Sequence, residues 1–356
     1  MRIAQIAPLY ESVPPRYYGG TERVVAYLTE ELVRRGHDVT LFASADSRTS
    51  ARLVPVCRQS LRLSPGAIDS LAHHLLMLEQ VGKVADAFDI LHFHVDYLHF
   101  PVSRRMGWPN VTTLHGRLDI PDLQPVYDEF DEMPVVSISD AQRRPLPQAN
   151  WQATVHHGLP ADLFTFHEEP GTYLAFLGRI SPEKRVDRAV EIARRVGLPL
   201  RVAAKIDRAD RAYFEARIAP LFDLPFVEYL GEIGESEKDE FLGHARALLF
   251  PIDWAEPFGL VMIEAMACGT PVVAWRGGSV DEVMAEGVTG FVVENMDDAV
   301  EATHRAGALD RRRCRRHFET AFTAAHMAGG YLSVYEAIAG AAEVETTRWD
   351  TAGQVG

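Results

Sequence analysis

The stretch YLAFLGRISPEKRVDRAVEIARRVGLPLRVAAK, residues 173–205, decides the fold class of this chain. Apolar runs at residues 173–177 and 200–204 predict two buried strands, and residues 182–195 between them have a helical pattern. A strand, a helix and a strand in this order form a βαβ unit, whose two strands lie parallel in one sheet. The stretch therefore predicts an α/β fold.

The same pattern begins the chain. Residues 3–7 predict a strand, Thr21 can cap a helix that ends at Gly36, and residues 39–43 predict a second strand. Further strands are predicted at residues 90–93, 111–114, 135–138 and 154–156, and in the second half at residues 226–230, 247–250, 272–275 and 290–293. Two such sheets in tandem predict two Rossmann-like domains with a ligand cleft between their carboxyl edges.

A length of 356 residues suits two domains. The polar segment 162–171, flanked by Pro160 and Pro170, predicts a linker between them. We therefore expect an N-terminal domain at residues 1–162 and a C-terminal domain at residues 163–328. A last helix is expected at residues 329–345, followed by a frayed tail at residues 346–356.

Charge and cysteine content exclude several classes of protein. Lys and Arg number 36 against 50 Asp and Glu, so the formal charge is −14, which argues against a general nucleic-acid binder. The 3 cysteines are far apart and indicate neither a disulfide framework nor a zinc site. No apolar run suits a signal peptide or a membrane span, so we expect a soluble cytoplasmic protein.

Residues 256–273, EPFGLVMIEAMACGTPVV, form the strongest chemical motif. Pro257 suits the first helical position and Gly269 the helix end, which puts Glu256 and Glu264 about 12 Å apart along the axis. One carboxylate can then contact a hexose and the other a ribose. The alternative is that both carboxylates are structural, but the apolar run around Glu264 favours a buried, partnered carboxylate.

The helix start in this motif also predicts an anion site. The backbone N–H groups expected to face a diphosphate are those of Phe258, Gly259 and Leu260.

Residues 178–184, GRISPEK, predict a cationic clamp for a diphosphate. Ser181 and Pro182 suit a helix start, so Lys184 is expected in the first turn, where a cation opposes the helix dipole unless an anion binds. Arg179 would end the preceding strand and form the second point of the clamp. The alternative is an exposed Lys184 paired with an acid such as Asp187.

The first half offers weaker candidates. Gly19 and Gly20 precede a helix and allow a phosphate or a sugar to approach the backbone, although a plain turn is the default. His115 ends a strand beside a glycine, and it is either functional or a buried structural histidine. His92 and His94 lie on one face of a strand, a spacing that metal ligands also have, although we expect no metal.

The run RRRCRR, residues 311–316, is the densest basic segment of the chain. It is most simply a solvated helix face. Contact with an anionic membrane or a polyanionic acceptor is a weaker interpretation.

Together these motifs resemble glycosyltransferase family 4, a group of retaining enzymes with the GT-B fold. The resemblance extends nearly from end to end, on the segments GGTE (19–22), RGHDVT (35–40), GRISPEK (178–184), EPFGLVMIE (256–264) and GGSVDE (277–282). Asp281 stands where the family often has proline, and we expect it to change only the local turn. The resemblance implies two Rossmann-like domains whose parallel sheets face a central cleft, with a last helix that crosses back onto the first domain.

The resemblance also implies a role for each candidate residue. Arg179 and Lys184 would hold the donor diphosphate, Glu256 and His115 would lie at the transferred sugar, and Glu264 would bind the ribose. The remaining residues of the donor site would be Gly19, Gly20, Gly178, Lys205, Gly231, Glu232, Ile233, Phe258, Gly259 and Leu260. No divalent metal is expected to take part.

The implied activity is transfer of a hexose from a nucleotide-diphosphate sugar to a hydroxyl acceptor, with retention of the anomeric configuration. The N-terminal domain would be the acceptor side and the C-terminal domain the donor side. UDP-glucose is the nominal donor and GDP-mannose the alternative. Other hypotheses are a nucleotide-sugar epimerase or hydrolase, a non-catalytic nucleotide-sugar-binding protein, and a metal-dependent hydrolase that uses His92, His94 and Asp96.

Overall fold

The computed structural model describes residues 1–16, 19–64 and 66–352, with side chains described up to Gly340. Tyr17 and Tyr18, which directly precede the GGTE segment, therefore lie outside the described residues. The chain divides into two compact units. The N-terminal unit contains residues 1–138, 143–156 and the chain from Ala324 onward, and the C-terminal unit contains residues 139–142 and 157–323.

Each unit contains one parallel sheet. The strands of the N-terminal unit are β1 (Arg2–Ile6), β2 (Asp38–Ser44), β3 (Arg52–Cys57), β4 (Ile90–Phe93), β5 (Asn110–Thr113), β6 (Pro134–Ser137) and β7 (Asn150–Thr154). Those of the C-terminal unit are β8 (Tyr173–Arg179), β9 (Leu200–Lys205), β10 (Val227–Gly231), β11 (Ala245–Phe250), β12 (Val272–Trp275) and β13 (Gly290–Val293).

The helices lie mainly between successive strands. They are α1 (Gly20–Arg34), α2 (Ser70–Gly82), α3 (Phe100–Met106), α4 (Gln124–Glu129), α5 (Asp140–Arg143), α6 (Val186–Val196), α7 (Arg211–Tyr213), α8 (Ala219–Phe222), α9 (Glu235–Gly243), α10 (Leu260–Ala267), α11 (Val280–Val283), α12 (Met296–Ala306), α13 (Arg311–Ala321) and α14 (Ala324–Ala352). No helix within the described ranges combines the length and the apolar character needed to cross a membrane.

Both sheets are doubly wound. The first has the strand order β3-β2-β1-β4-β5-β6-β7 and the second the order β10-β9-β8-β11-β12-β13. The order reverses between β1 and β4 in the first sheet and between β8 and β11 in the second, and at such a point the loops after the two strands diverge and leave a crevice. The parallel α/β architecture with two Rossmann-like domains is confirmed.

Sequence reasoning missed one strand. β3 pairs with β2 at the edge of the first sheet and is only partly buried, so its residues lack the continuous apolar run of the central strands. Pro55 lies within it, which an edge strand tolerates because one side of its backbone needs no partner.

The segment predicted as a linker is packed against the C-terminal unit. Arg315 of α13 donates hydrogen bonds to the carbonyl oxygens of Ala161, at 2.5 Å, and Phe164, at 2.9 Å. Arg311 is 5% exposed and donates to the carbonyl oxygen of His167 at 2.7 Å. These bonds attach the predicted linker to the C-terminal unit, whose longer segment starts at residue 157 and not at the expected residue 163. They also correct the interpretation of residues 311–316 as a solvated face, because Arg311 and Arg315 bind backbone carbonyl groups of the unit.

The last helix belongs to the N-terminal unit. It begins at Ala324, five residues before the expected start at residue 329, and it continues to Ala352 through most of the expected tail; the last four residues lie outside the described chain. Tyr331 and Tyr335 are fully buried against the first sheet, and Arg35 of α1 donates a hydrogen bond of 2.5 Å to the Ala325 carbonyl oxygen.

The buried histidines His92 and His99, and the partly buried His115, lie in the first sheet and the segments after its strands. His92 and His99 are completely buried, and burial lowers the pKa of His99 and of His115 to about 3 and that of His92 well below its usual value. Each side chain is hydrogen-bonded as a neutral imidazole; His99, for example, bonds Ser103 Oγ at 2.7 Å and Thr112 Oγ1 at 2.6 Å.

We expect the N-terminal unit to lose stability on mild acidification. The unfolded chain takes up protons at these histidines below pH 6.5, whereas the folded chain takes them up only near pH 3. Their contribution to stability is therefore complete above pH 6.5 and is lost as the pH falls, at about 1 kcal/mol per pH unit for each histidine. Denaturant unfolding at pH 7, 6 and 5, with hydrogen exchange of peptides around His99, measures this slope.

The control for that experiment is His99→Gln. This variant should show a slope smaller by the share of one histidine, whatever its stability at pH 7. A free energy of unfolding that stays constant from pH 7 to pH 5 would contradict the prediction.

Candidate functional site

The C-terminal unit places two cations at neighbouring strand ends. In the parallel register, Arg179 at the end of β8 lies beside Lys205 at the end of β9, and the Ile180 N–H donates to the Lys205 carbonyl oxygen at 2.8 Å. Gly178 precedes Arg179 on β8 and adds no side chain to this edge. Because β8 borders the point where the strand order reverses, these side chains lie where α/β sheets bind ligands.

Both strand-end cations are paired with carboxylates. Arg179 bonds Glu183 at 2.6 Å and lies 3.8 Å from Asp207 and 3.7 Å from Asp210, and Lys205 contacts Asp207 at 3.0 Å. Burial opposes ionisation of Glu183, but backbone N–H bonds and Arg179 outweigh it, so the pKa of Glu183 lies below its usual value. The expected cationic island is therefore an array of ion pairs in which two cations meet three carboxylates.

Contrary to the prediction, Lys184 does not lie in the first turn of an α-helix. It ends a short 3₁₀ turn, Pro182–Lys184; Arg185 then adopts a left-handed conformation with φ of 53°, and α6 starts only at Val186. This break turns the Lys184 side chain to Glu256, with which it forms an ion pair. The alternative partner, Asp187, is bound instead by Arg185 at 2.9 Å.

Glu256 is a buried carboxylate with two side-chain donors. It is 8% exposed and accepts hydrogen bonds from Lys184 Nζ and, at 2.8 Å, from Trp254 Nε1. Its carbonyl oxygen accepts the Ser279 N–H at 3.0 Å. Gly278 has φ of 56°, and a Cβ there would come within 2.1 Å of the Glu256 carbonyl oxygen. The glycine pair at residues 277–278 therefore lets the turn pack directly against the backbone that carries Glu256.

Helix α10 begins three residues later than predicted. Gly259, with φ of 81°, is its N-cap and Leu260 its first residue, so Pro257 lies in the preceding loop. The distance of about 12 Å along a helix axis therefore does not apply to Glu256 and Glu264. Phe258 is 2% exposed and its carbonyl oxygen accepts the Ser279 hydroxyl at 2.8 Å, which fixes the loop before the helix.

Glu264 is buried and paired, as the apolar run around it predicts. It is 1% exposed, and its Oε1 lies 2.6 Å from Lys238 Nζ on α9. The loop that precedes α9 contains Glu232 and Ile233 and starts at Gly231, which ends β10 with φ of 75°. Gly234 then caps α9, with its N–H donating to Glu237 Oε2 at 2.8 Å. Helix α9 thus connects the residues expected at the base with Glu264, the residue expected at the ribose.

The remaining candidates belong to the N-terminal unit. Gly19 is the N-cap of α1 and Gly20 its first residue; a Cβ on Gly19 would lie 2.8 Å from Pro15. His115 follows β5, and its Nε2 lies 2.9 Å from His94 Nδ1. Since burial lowers the pKa of His115 to about 3, the imidazole is neutral at physiological pH.

The structure gives no support to a metal site at His92, His94 and Asp96. Both ring nitrogens of His92 bond hydroxyl groups, at 2.6 and 2.7 Å, and those of His94 bond His115 and Gln5, at 2.9 and 2.8 Å. Their lone pairs are therefore engaged within the protein. Within the residues that the structure describes, no three His, Cys, Asp or Glu side chains converge as metal ligands would.

Sequence reasoning missed the partners of the two glutamates. Trp254 and Lys238 orient Glu256 and Glu264, but neither lies in a recognisable motif. The only signal in the sequence is the apolar run around Glu264, which predicts a buried carboxylate. A buried carboxylate needs a cationic partner, but the run does not indicate which residue of the chain provides it. The sequence assigns no partner to Glu282, the last residue of the GGSVDE segment. In the structure its carboxylate accepts hydrogen bonds from the N–H groups of Asp140 and Ala141, each at 2.7 Å.

Comparisons with known proteins cover both units. Residues 18–157 match the model of Glycosyltransferase Family 4, and residues 164–318 match that of Glycosyl transferases group 1. The chain is 26% identical to D-inositol 3-phosphate glycosyltransferase of Mycolicibacterium smegmatis, over 89% of this chain and 86% of the relative. It is 27% identical to phosphatidyl-myo-inositol mannosyltransferase of the same organism, over 84% and 82% of the two chains.

Solved structures share the fold. Sucrose-phosphate synthase from Thermosynechococcus elongatus superposes with a TM-score of 0.78 and 19% identity, covering 96% of this chain and 100% of the other. Anabaena HepE, solved in complex with UDP and glucose, gives 0.72 and 16%, covering 95% and 100%. The two family models, the two doubly wound sheets and these relatives agree: the chain belongs to glycosyltransferase family 4 and is a glycosyltransferase with the GT-B fold.

Proposed function

We propose that this chain is a retaining glycosyltransferase that moves a hexose from a nucleotide-diphosphate sugar to a hydroxyl acceptor. The observation that carries the proposal is the series of groups in the C-terminal unit. Cations at two strand ends are followed by Lys184 paired with a buried Glu256, by the N-terminus of α10, and by a buried Glu264 paired with Lys238. The cations and the helix N-terminus suit a diphosphate, and the two buried carboxylates suit the hydroxyl groups of a hexose and of a ribose.

The diphosphate would bind to Arg179, Lys184 and Lys205. A guanidinium has five N–H donors and an ammonium three, so each cation can keep its carboxylate partner and also hold a phosphate oxygen. The carboxylates fix the cations in position before the donor binds, which lowers the entropy lost on binding. The N-terminal N–H groups of α10, which follow the left-handed Gly259, would add further donors.

The two buried glutamates would recognise the sugars. Glu256 is held by Lys184 and Trp254, and an oriented carboxylate accepts hydrogen bonds from hexose hydroxyls. Glu264 would accept those of the ribose while Lys238 balances its charge. The base would lie near Gly231, Glu232 and Ile233, where backbone groups at the strand end are suited to reading its edge.

The chemistry follows from these roles. The bond between the anomeric carbon and the leaving phosphate oxygen breaks, and the acceptor hydroxyl bonds the same face of the sugar. Its proton passes to the leaving phosphate oxygen, and the nucleoside diphosphate departs. Arg179 and Lys184 stabilise the negative charge that grows on the leaving group. In this proposal they fill the role that a divalent metal has in other transferases, so the reaction proceeds in the presence of EDTA.

We propose a UDP-sugar, with UDP-glucose as the first choice, rather than a GDP-sugar. HepE, which shares the fold, is complexed with UDP and glucose, and this supports the choice. We also propose a cytoplasmic location, because Cys57, Cys268 and Cys314 are free thiols, as a reducing compartment keeps them.

A panel of nucleotides tests the donor. UDP should raise the melting temperature by mass action more than GDP or ADP at equal concentration, and UDP-glucose should do the same. With the donor so identified, the anomeric proton coupling of the product should show the configuration of the donor. Stabilisation by GDP alone would overturn the choice of base, and an inverted product would overturn retention.

Replacing the diphosphate cations tests the proposed site. Arg179→Ala and Lys184→Ala should each lower kcat/KM by roughly 100- to 1,000-fold, because each removes a charge that stabilises the leaving group. The control is Arg194→Ala, which removes an exposed arginine that pairs with Glu191 on the outer part of α6. Near-normal transfer by both site variants would contradict the assignment.

A double-mutant cycle tests the ribose pair. Lys238→Met leaves the Glu264 carboxylate buried without its cation and should cost about 3 to 5 kcal/mol of stability. Adding Glu264→Gln removes that charge and should restore most of the loss. The single variant Glu264→Gln and the double variant should both bind UDP weakly, and both should retain their affinity for inorganic pyrophosphate. Unchanged UDP binding would contradict the role of Glu264.

A further inference from the structure

A buried chain of hydrogen bonds joins His115 to the last helix of the N-terminal unit. Its members are side chains from β1, β4, β5, the residues that follow the last two of these strands, and α14; all are fully or almost fully buried except His115, which is partly exposed. In order, the bonds are His115 Nε2–His94 Nδ1 at 2.9 Å, His94 Nε2–Gln5 Oε1 at 2.8 Å, Gln5 Nε2–Tyr335 Oη at 3.1 Å, Tyr335 Oη–His92 Nδ1 at 2.6 Å, His92 Nε2–Thr113 Oγ1 at 2.7 Å and Thr113 Oγ1–Tyr331 Oη at 2.9 Å.

The direction of the chain can be worked out from its far end. The Thr113 hydroxyl donates its only proton to Tyr331, so its oxygen must accept from His92 Nε2–H. Because His92 is neutral, with a pKa that burial lowers well below its usual value, its Nδ1 has a lone pair and accepts the Tyr335 O–H.

The same reasoning continues to His115. The Tyr335 oxygen, having donated its proton to His92, accepts from the Gln5 amide nitrogen. The Gln5 carbonyl oxygen therefore faces His94 and accepts its Nε2–H, which leaves His94 Nδ1 as an acceptor. His115 must then donate through Nε2. All six bonds run in one direction, and each polarises the next.

We propose that Gln5 and Tyr335 are positioning residues that hold His115 as the neutral Nε2–H tautomer, with Nδ1 as a hydrogen-bond acceptor. This inference rests on the proposed function in one respect, the contact with the transferred sugar that the family resemblance implies for His115. An Nδ1 lone pair accepts the proton of a sugar hydroxyl, whereas an Nδ1–H would instead donate to the hydroxyl oxygen, so the tautomer sets the direction of this bond. His115 then acts as a fixed neutral acceptor rather than as a general base that titrates.

The inference makes the last helix part of the site. Tyr335 lies on α14, far along the chain from the other members, and its hydroxyl both accepts from Gln5 and donates to His92. Without this hydroxyl, only the 3.4 Å contact of the Gln5 amide nitrogen with His92 Nδ1 links the amide to the Thr113 end of the chain, so its orientation is set much more weakly. The amide can then turn over and reverse the direction of the two bonds that lead to His115.

The experiment is nitrogen NMR of the full chain with ring-labelled histidine, the His115 signal being identified by its loss in His115→Ala. In the wild type, His115 Nε2 should give the shift of a protonated nitrogen and Nδ1 that of an unprotonated one, unchanged from pH 6 to pH 8. An Nδ1–H tautomer, or a titration in this range, would overturn the inference. This measurement needs no substrate, so it is independent of the proposed function.

The variant Tyr335→Phe then tests the positioning role. It should give a mixture of His115 tautomers and a kcat lowered about tenfold, with the KM for the donor changed much less. Tyr127→Phe is the matched control, because Tyr127 is also a buried tyrosine of the N-terminal unit, at 1% exposed, but lies outside the chain. An altered tautomer with unchanged kcat, or equal losses in both variants, would overturn the role of Tyr335.

Discussion

The ion pair between Lys184 and Glu256 is the interaction on which the proposed donor site depends. The two residues follow β8 and β11, which are neighbours in the sheet although they are far apart in the chain. Their loops are also joined through the backbone, since the Asp253 N–H donates to the Glu183 carbonyl oxygen at 2.8 Å. A charge as buried as that of Glu256 needs a partner, so moving the two loops apart would carry the penalty of an unpaired buried charge.

Two glycines make this arrangement possible. Gly259 supplies the left-handed conformation that starts α10, and Gly278 supplies the close approach of a turn to the backbone of Glu256. Any other residue at either position would bring both an unfavourable backbone conformation and a Cβ contact. These two glycines thus shape the site because neighbouring atoms occupy the space that a Cβ would need.

Charge balance explains how an acidic protein can hold a phosphate ligand. The formal charge is −14, and Arg179, Lys184 and Lys205 each contact at least one carboxylate. Such a site attracts polyanions weakly at long range, because the field of each cation is cancelled nearby. It still offers well-placed N–H donors at short range, which favours one small diphosphate over an extended polyanion.

Sequence by itself determined the fold class and most of the strands. Apolar runs such as residues 90–93 and 272–275 coincide with β4 and β12, because central strands of a parallel sheet are buried on both faces. It also indicated which side chains are candidates for the site, since Arg179 at a strand end and Glu264 in an apolar run conflict with their surroundings unless they are partnered. The edge strand β3 was missed because partial burial leaves no such run.

Only the tertiary structure decided the partners. Lys238 pairs with Glu264, Trp254 with Glu256 and Tyr335 with Gln5, and no spacing in the chain predicts these contacts. The helix starts at residues 186 and 260 were also beyond sequence reasoning, because one left-handed residue before each overrides local capping preferences. The reason is general: local sequence fixes which groups must be satisfied, whereas packing of distant elements fixes which groups satisfy them.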